Sequence, residues 1–375
     1  MKPLEGLRVL DFAQFLAGPM AALRLADLGA EVIKIERPDG GDLCRSLVIA
    51  DQKVGDDSLL FHTINRNKKS VAADLKNVDD LDRVKALIAS SDVIIHNFRP
   101  GVMERIGLGY ETVCALNPRI VYGAVTGYGT KGPWVRKPGQ DLLVQAMTGM
   151  PWLSGNDGEP PVPAGFAALD IACGNHLVQG LMAALLRRAT TGRGGLVEVD
   201  LMSSSLDMQF ELLTAFLNGD GAMPTRSAVS NANATVAAPY GIFACKDGYL
   251  ALAMTPISAL RDLLECPALA PLCDPADAFP RRDEIKTILR DHLIQRPVRT
   301  WLDRLEPADI WCAEVLDWPT FTNTEGFRAL DAVQDITAPD GTRIRTTRCP
   351  IRLDGEILTS PRGGPALGAD TAAYL

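Results

Sequence analysis

The chain has 375 residues, 47% of them hydrophobic, enough to build a sizeable core and long enough for two domains. Its formal net charge of −8 argues against a nucleic-acid binder, which would normally present a basic face. No apolar run reaches the ~20 residues that span a bilayer, and the longest, such as Leu181 to Leu186, stop at arginines. The expectation is therefore a protein without membrane or nucleic-acid partners.

The opening, MKPLEGLRVLDF, passes almost at once into a strand pattern and leaves no room for a signal peptide. Eight cysteines are scattered without a C-x-x-C pair, the usage of thiols kept reduced, so a cytoplasmic location is expected. Four histidines (His62, His96, His176, His292) share no ligand spacing, and no metal site is expected.

In chain order, Arg8 to Phe12 reads as a strand, Ala13 to Gly18 as a loop, and a helix runs from near Pro19 to about Leu28, stopped by Gly29. Glu31 to Ile35 is the next strand. Asp82 to Ala89 is a helix, and Asp92 to His96, Arg119 to Val125 and Leu196 to Leu201 are further strands. This alternation predicts a parallel sheet with helices on both faces, which binds ligands at the carboxyl ends of its strands.

The loop AQFLAGPMA carries one glycine where a dinucleotide fingerprint needs three, so no nicotinamide cofactor is expected, although Glu36 lies at a suitable spacing. Basic residues recur just after strands instead: Arg37, then Arg66, Lys68, Lys69 and Lys76, then Arg99 and Arg105. If those strand ends converge, they form a local site for a polyanion in an acidic protein.

The segment GFAALDIACGNHLVQGLMAALLRR from Gly165 places Asp170 where a loop becomes a long apolar helix. From Leu177 it repeats at Leu177, Leu181, Leu185 and at Val178, Met182, Leu186, predicting one broad buried face. The helix dipole favours an ionised carboxylate at Asp170, which could act as a nucleophile. The simpler alternative is that Asp170 caps the helix.

Around Asn218 the chain turns to small polar residues, a linker. Tyr240 to Cys245 and Tyr249 to Ala253 flank Lys246-Asp247-Gly248, a hairpin signal, and helices follow at Arg282 to Leu293 and Arg299 to Leu305. Pro339-Asp340-Gly341 signals another hairpin. The expected fold is α/β: a large domain with a parallel sheet over 1–215, a linker over 216–236, a smaller α+β domain over 237–318, and a return crossing with the C-terminal part of the large domain over 319–375.

Ten segments in order resemble the class III CoA-transferase family, among them LEGLRVLDF at Leu4, AGPMAALRLADLGAEVIKIERP at Ala17 and NRNKKSVAADLK at Asn65. DVIIHNFRPGVMERIGLGY at Asp92, PGQDLLVQAMTG at Pro138, TGRGGLVEVDLM at Thr191 and GPALGADT at Gly364 continue the match almost to the C-terminus. The resemblance implies that the large domain is Rossmann-like, and it implies an interlocked homodimer and an enzyme that moves CoA from an acyl-CoA donor to a carboxylic acid. It implies a covalent aspartate at Asp170, bordered by Gln140 and Asp141, and coenzyme A bound as substrate thioester. It carries the CoA site onto Leu16, Arg37, Ala73 to Lys76, Asn97, Phe98, Arg99 and Arg105. Leu16 departs from the polar residue common at its position, and NANATVAA stands where some relatives carry a glycine-rich lid.

The family also holds acyl-CoA racemases, whose branch places a histidine where Gln140 stands; an amide cannot abstract an α-proton, which favours transfer. A non-catalytic CoA-binding protein would have no use for the carboxylate of Asp170.

Overall fold

The computed structural model describes residues 2–375. Contacts divide the chain into two interleaved compact units: 1–144, 166–208 and 330–375 form one, and 145–165 with 209–329 form the other. These limits differ from the expected domain boundaries, because 145–165, 209–215 and 319–329 pack with the second unit.

The first unit is built on six strands: β1 (Arg8–Asp11), β2 (Glu31–Glu36), β3 (Lys69–Ala72), β4 (Val93–His96), β5 (Val121–Thr126) and β6 (Gly195–Asp200). They lie in the order β3-β2-β1-β4-β5-β6, all parallel. The chain builds outward from β1 to one edge and then returns through β4 to the other. The switch point between β1 and β4 is where such sheets bind ligands.

The strands β1, β2 and β4 are buried on both faces, as a covered parallel sheet requires, although β1 and β2 carry the buried charges Asp11, Lys34 and Glu36 among their apolar residues. β3 is absent from the sequence-based elements: its four residues, KSVA, adjoin a charged stretch and form the sheet edge, so neither length nor hydropathy marks it.

Helix α1 (Ala17–Asp27) follows β1, and α2 (Val78–Ala89) is capped by Asn77, whose side chain accepts the N–H groups of Asp79 and Asp80. Short α3 (Val102–Arg105) follows β4, and α4 (Asp141–Met147) precedes the long α5 (Ala168–Thr191).

By length and composition alone α5 would pass as a membrane span, a test that core helices also pass; as expected, no uninterrupted apolar run in it approaches that length, since Asp170, Asn175, His176 and Gln179 break it. Its buried stripe is Cys173, Gly174, Leu177, Leu181, Ala184 and Arg188, narrower than the repeat suggests; Leu186 is 70% exposed. Glycine permits the close contact with α1: a Cβ at Gly174 would lie 2.8 Å from the Ala17 carbonyl oxygen.

The second unit contains an antiparallel sheet of β7 (Gly241–Ala244), β8 (Tyr249–Leu252) and β9 (Cys312–Glu314), with β8 central. β7 and β8 form the expected hairpin, with Ala244 opposite Tyr249. Helices α6 (Arg282–Leu293) and α7 (Val298–Leu305) bury Ile285, Leu289, Trp301 and Leu305 in one core with Phe243 and Leu250. In the first unit, β10 (Val333–Thr337) and β11 (Arg343–Thr347) form the second expected hairpin, and α8 (Thr371–Tyr374) ends the chain.

Buried charge, as well as apolar packing, holds the switch point. Lys68 Nζ donates to Asp11 Oδ2 at 2.8 Å, to Asn65 Oδ1 at 2.8 Å and to the Pro19 carbonyl at 3.0 Å. Arg66 is similarly buried against Asp27 at 2.8 Å, and Lys69 pairs with Glu31 at 2.6 Å. These three cations are therefore committed to carboxylates within the fold and drop out of the expected polyanion cluster. Lys68→Met should remove about 3–5 kcal/mol of stability, because it strips a partner from a buried carboxylate; chemical denaturation at neutral pH measures this, and an unchanged midpoint would contradict the burial.

Candidate active site

The loop after β1 is positioned by side chains. Asp11 Oδ1 accepts the Ala13 N–H at 3.0 Å, and Lys34 Nζ donates to the Ala13 carbonyl at 2.6 Å. Asn97 Oδ1 accepts the Gln14 N–H at 2.8 Å while its amide nitrogen donates to the Gln14 carbonyl at 2.6 Å. Asp42 Oδ1 accepts the Phe15 N–H at 3.2 Å, which helps hold Phe15 at a left-handed φ of 62°.

Lys34 is fully buried; burial alone would pull its pKa down, but Asp11 and Asp42 outweigh it and raise it to about 12. Lys68 shows the opposite balance: burial prevails over Asp11, and its pKa falls to about 8.

Beneath this loop lies a cavity of about 210 Å³, lined by Phe12, Ile35, Arg37, Ala73, Lys76 and Phe98 among others. Val102 and Ile106, which flank Arg105 in the chain, also line it. A second cavity of about 280 Å³ is lined by Gln14, Asn97, Phe98, Arg99, Lys137 and Gly139 among others, with Phe98 and Gln14 shared. Phe98 is stacked on His96, whose pKa burial lowers to about 4, so the ring is neutral.

Arg37, Lys76, Arg99 and Arg105 are exposed. Asn97 lines the second cavity, but its side-chain amide is engaged with the loop. Leu16 lines neither cavity; it packs against Leu23, Cys44, Phe61 and Ile64. Gln14 and Lys137 were not among the expected residues. Lys137 lies two residues before Gly139 in the Pro138 motif, a signal that charge at a loop could have supplied.

Gly139 leads to Gln140 and Asp141. A Cβ on Gly139 would come within 2.5 Å of the Gly127 Cα, so two glycines let the loop after β5 and the approach to α4 touch through their backbones. This seats the buried Asp141 side chain against the start of α5. Its Oδ2 accepts the N–H of Leu169 at 2.7 Å and of Asp170 at 3.0 Å.

These are the second and third residues of α5, whose own N-cap, Ala167, supplies no side-chain bond. Asp141 therefore performs the capping considered for Asp170. The Asp170 carboxyl is consequently not the cap. Burial, and then the negative charge of Asp141, raise its pKa to about 7. The expectation of a fully ionised Asp170 at neutral pH is corrected: these two effects override the helix dipole.

The first-turn amides are also committed. Ala168 N–H donates to the Phe166 carbonyl at 2.8 Å and Ile171 N–H to the Ala167 carbonyl at 3.2 Å, so these amides are already used within the fold.

A carboxyl with a raised pKa stabilises the fold when protonated, and that contribution is lost as pH rises from about 4 through about 7. Asp170→Asn should therefore raise the melting temperature by about 2–4 °C at pH 8, with a smaller gain at pH 4. Equal gains at both pH values would contradict the raised pKa.

The CoA-transferase family III model matches residues 4–371. A succinyl-CoA:glutarate CoA-transferase from Mus musculus is 35% identical over 316 residues, covering 83% of this chain and 71% of that protein. A succinate–glutarate CoA-transferase from Agrobacterium fabrum is 31% identical, covering 100% of this chain and 95% of that protein. An acetyl-CoA:oxalate CoA-transferase from Acetobacter aceti is 33% identical over 84% of this chain and 81% of its own length. Among solved structures, Rv3272 from Mycobacterium tuberculosis superposes with a TM-score of 0.84 at 30% identity, covering 100% of this chain and 99% of that one. With the aspartate-bearing helix and the cation-rimmed cavity on one parallel sheet, and a match across almost its whole length, the chain belongs to CoA-transferase family III and is an enzyme of that class.

Proposed function

We propose that this enzyme moves CoA between an acyl-CoA donor and a carboxylic acid through covalent intermediates on Asp170. The observation that carries this is the half-buried Asp170 carboxyl, whose backbone is fixed by Asp141 and whose pKa is raised to about 7. A carboxylate of that basicity is a better nucleophile than an ordinary aspartate, and a useful fraction is ionised near neutral pH.

Asp170 attacks the donor thioester carbonyl, the C–S bond breaks, and an acyl–aspartyl anhydride and CoA thiolate result. The thiolate attacks the aspartyl carbonyl, giving an aspartyl-CoA thioester and releasing the donor acid. The acceptor carboxylate then attacks that thioester and expels CoA thiolate, forming a second anhydride between the acceptor and Asp170; the thiolate attacks the acceptor carbonyl of that anhydride, giving the product thioester and freeing the Asp170 carboxylate. Gln140, exposed and next to Asp141, supplies an amide donor for the tetrahedral oxyanions, a role the committed first-turn amides of α5 cannot fill. The same side chain disfavours a racemase, since it has no titratable base to offer.

The 210 Å³ cavity, with Arg37 and Lys76 in its lining and the exposed Arg105 between the lining residues Val102 and Ile106 in the chain, suits an aromatic base with nearby phosphates, the polyanionic end of CoA. Arg99 and Lys137 extend that positive rim along the second cavity. Short mono- and dicarboxylic acids form the acceptor panel to screen, since relatives are named for glutarate and oxalate.

Asp170→Ala should lower transfer by at least about 10³-fold while CoA still binds in calorimetry. Arg37→Ala, Lys76→Ala and Arg105→Ala should each weaken CoA binding by about 1–3 kcal/mol. Unchanged affinity in all three would place CoA elsewhere.

The assembly we propose is an interlocked homodimer. Phe210, Leu217 and Trp318 are 67%, 69% and 84% exposed in the single chain, apolar surface of the kind a partner covers. Sedimentation at nanomolar concentration should show the mass of two 40.4 kDa chains, because threaded chains separate only on unfolding. A folded monomer on dilution would rule out interlocking.

A further inference from the structure

The stretch 364–371, one of the matching motifs, lines neither cavity, yet it is bonded along the free edge of β3. That strand pairs on one side with β2, Ser70 lying opposite Lys34 and Ala72 opposite Glu36. Its outward amides would otherwise face water. Asp370 Oδ2 accepts the Ser70 N–H at 2.9 Å, and Thr371 Oγ1 accepts the Ala72 N–H at 2.9 Å. In return the Asp370 N–H donates to the Ser70 carbonyl at 2.9 Å. Two side chains thus occupy the places that a further strand would fill.

The contact continues inward. Gly368 N–H donates to Ser70 Oγ at 2.9 Å, and that hydroxyl donates to Glu36 Oε1 at 2.6 Å. Glu36 also accepts Arg45 at 2.7 and 2.8 Å and the Asp42 N–H at 2.9 Å, while Arg45 reaches the Pro365 carbonyl at 3.0 Å. Glu36 and Asp42 both line the 210 Å³ cavity, and so do Ala73 to Lys76, the residues that follow β3 directly. Tyr374 and Leu375 pack against the cluster that contains Ile35, Val71 and Ala73, and Tyr374 bonds Glu31 at 2.6 Å and Lys69.

We infer that Asp370 and Thr371 are positioning residues for CoA: by pinning the outer edge of β3 they fix the wall formed by Ala73 to Lys76. This rests on the proposal that the cavity holds CoA. The effect belongs to binding and not to the chemical step, since nothing in this chain of contacts involves Asp170. A one-residue slip or fraying at β3 would displace the cavity wall while leaving α5 in place.

The test uses the full-length enzyme with acyl-CoA as the varied substrate. Thr371→Val keeps the shape and removes the acceptor; the Asp370→Ala/Thr371→Ala pair removes both. KM for acyl-CoA should rise about three-fold in the first and about ten-fold in the second, with kcat within two-fold. Backbone amides of 69–76 should exchange faster with deuterium, and Asp370→Asn with Thr371→Ser, which restore oxygen acceptors, should return KM to within two-fold of the parent. Should the double variant fail to fold, Thr371→Val and the conservative pair decide the matter.

Unchanged KM in Thr371→Val, or a fall in kcat at constant KM, would overturn the inference. Arg37→Ala and Lys76→Ala run in parallel: if these leave CoA affinity unchanged, it is the location of CoA that fails. If they weaken it while the edge variants do not, it is the positioning role that fails.

Discussion

The contact between the Asp141 carboxylate and the first turn of α5 fixes the start of that helix and the surroundings of Asp170, and the proposed chemistry depends on it. A helix start leaves several amides without partners, and in α5 two of them are taken by a side chain from another helix. The arrangement does two things together. It anchors the backbone of Asp170, and it brings a second negative charge to the Asp170 carboxyl, which burial has already made harder to ionise. A capping residue within α5 itself would have achieved the first effect with a different local field. The cost is a carboxyl held against its preference for water.

Buried charge at the ends of the strands shapes the loop after β1. Nucleotide-binding α/β proteins commonly bring backbone close to phosphate with glycines after the first strand. In this chain the corresponding loop is shaped by Asp11, Lys34, Asp42 and Asn97, each bonded to its backbone or to a neighbour that is. Buried charges are costly unless paired, and these are paired with short, multiple contacts. The loop can therefore take a left-handed residue at Phe15 without glycine. Charge in the first unit divides into buried ions that set backbone geometry and exposed ions at the cavity rim.

That division marks the limit of what the sequence reveals. Apolar runs identify β1, β2, β4 and β5, and the hairpins are visible from Lys246-Asp247-Gly248 and Pro339-Asp340-Gly341, because local periodicity and turn chemistry determine them. Helix Arg282 to Leu293 is legible to its ends for the same reason. β3 is hidden, since a four-residue edge strand flanked by lysines has no periodic signature. Arg66 and Lys68 look like Arg37 and Lys76 in one dimension; only the partners Asp27 and Asp11, distant in sequence, tell a fold ion from a rim ion. Asp170 is recognisable as an acidic residue at a helix start, but its raised pKa depends on Asp141, which stands 29 positions away.

The proposed transfer requires Asp170 to form a covalent bond to substrate. The most direct test is to incubate the enzyme with acyl-CoA donor, quench with hydroxylamine during turnover, and map the modified peptide by mass spectrometry. The mechanism predicts a hydroxamate on Asp170 that requires acyl-CoA and disappears in Asp170→Asn. Modification of Asp141 instead, or turnover with no aspartyl adduct at all, would contradict it.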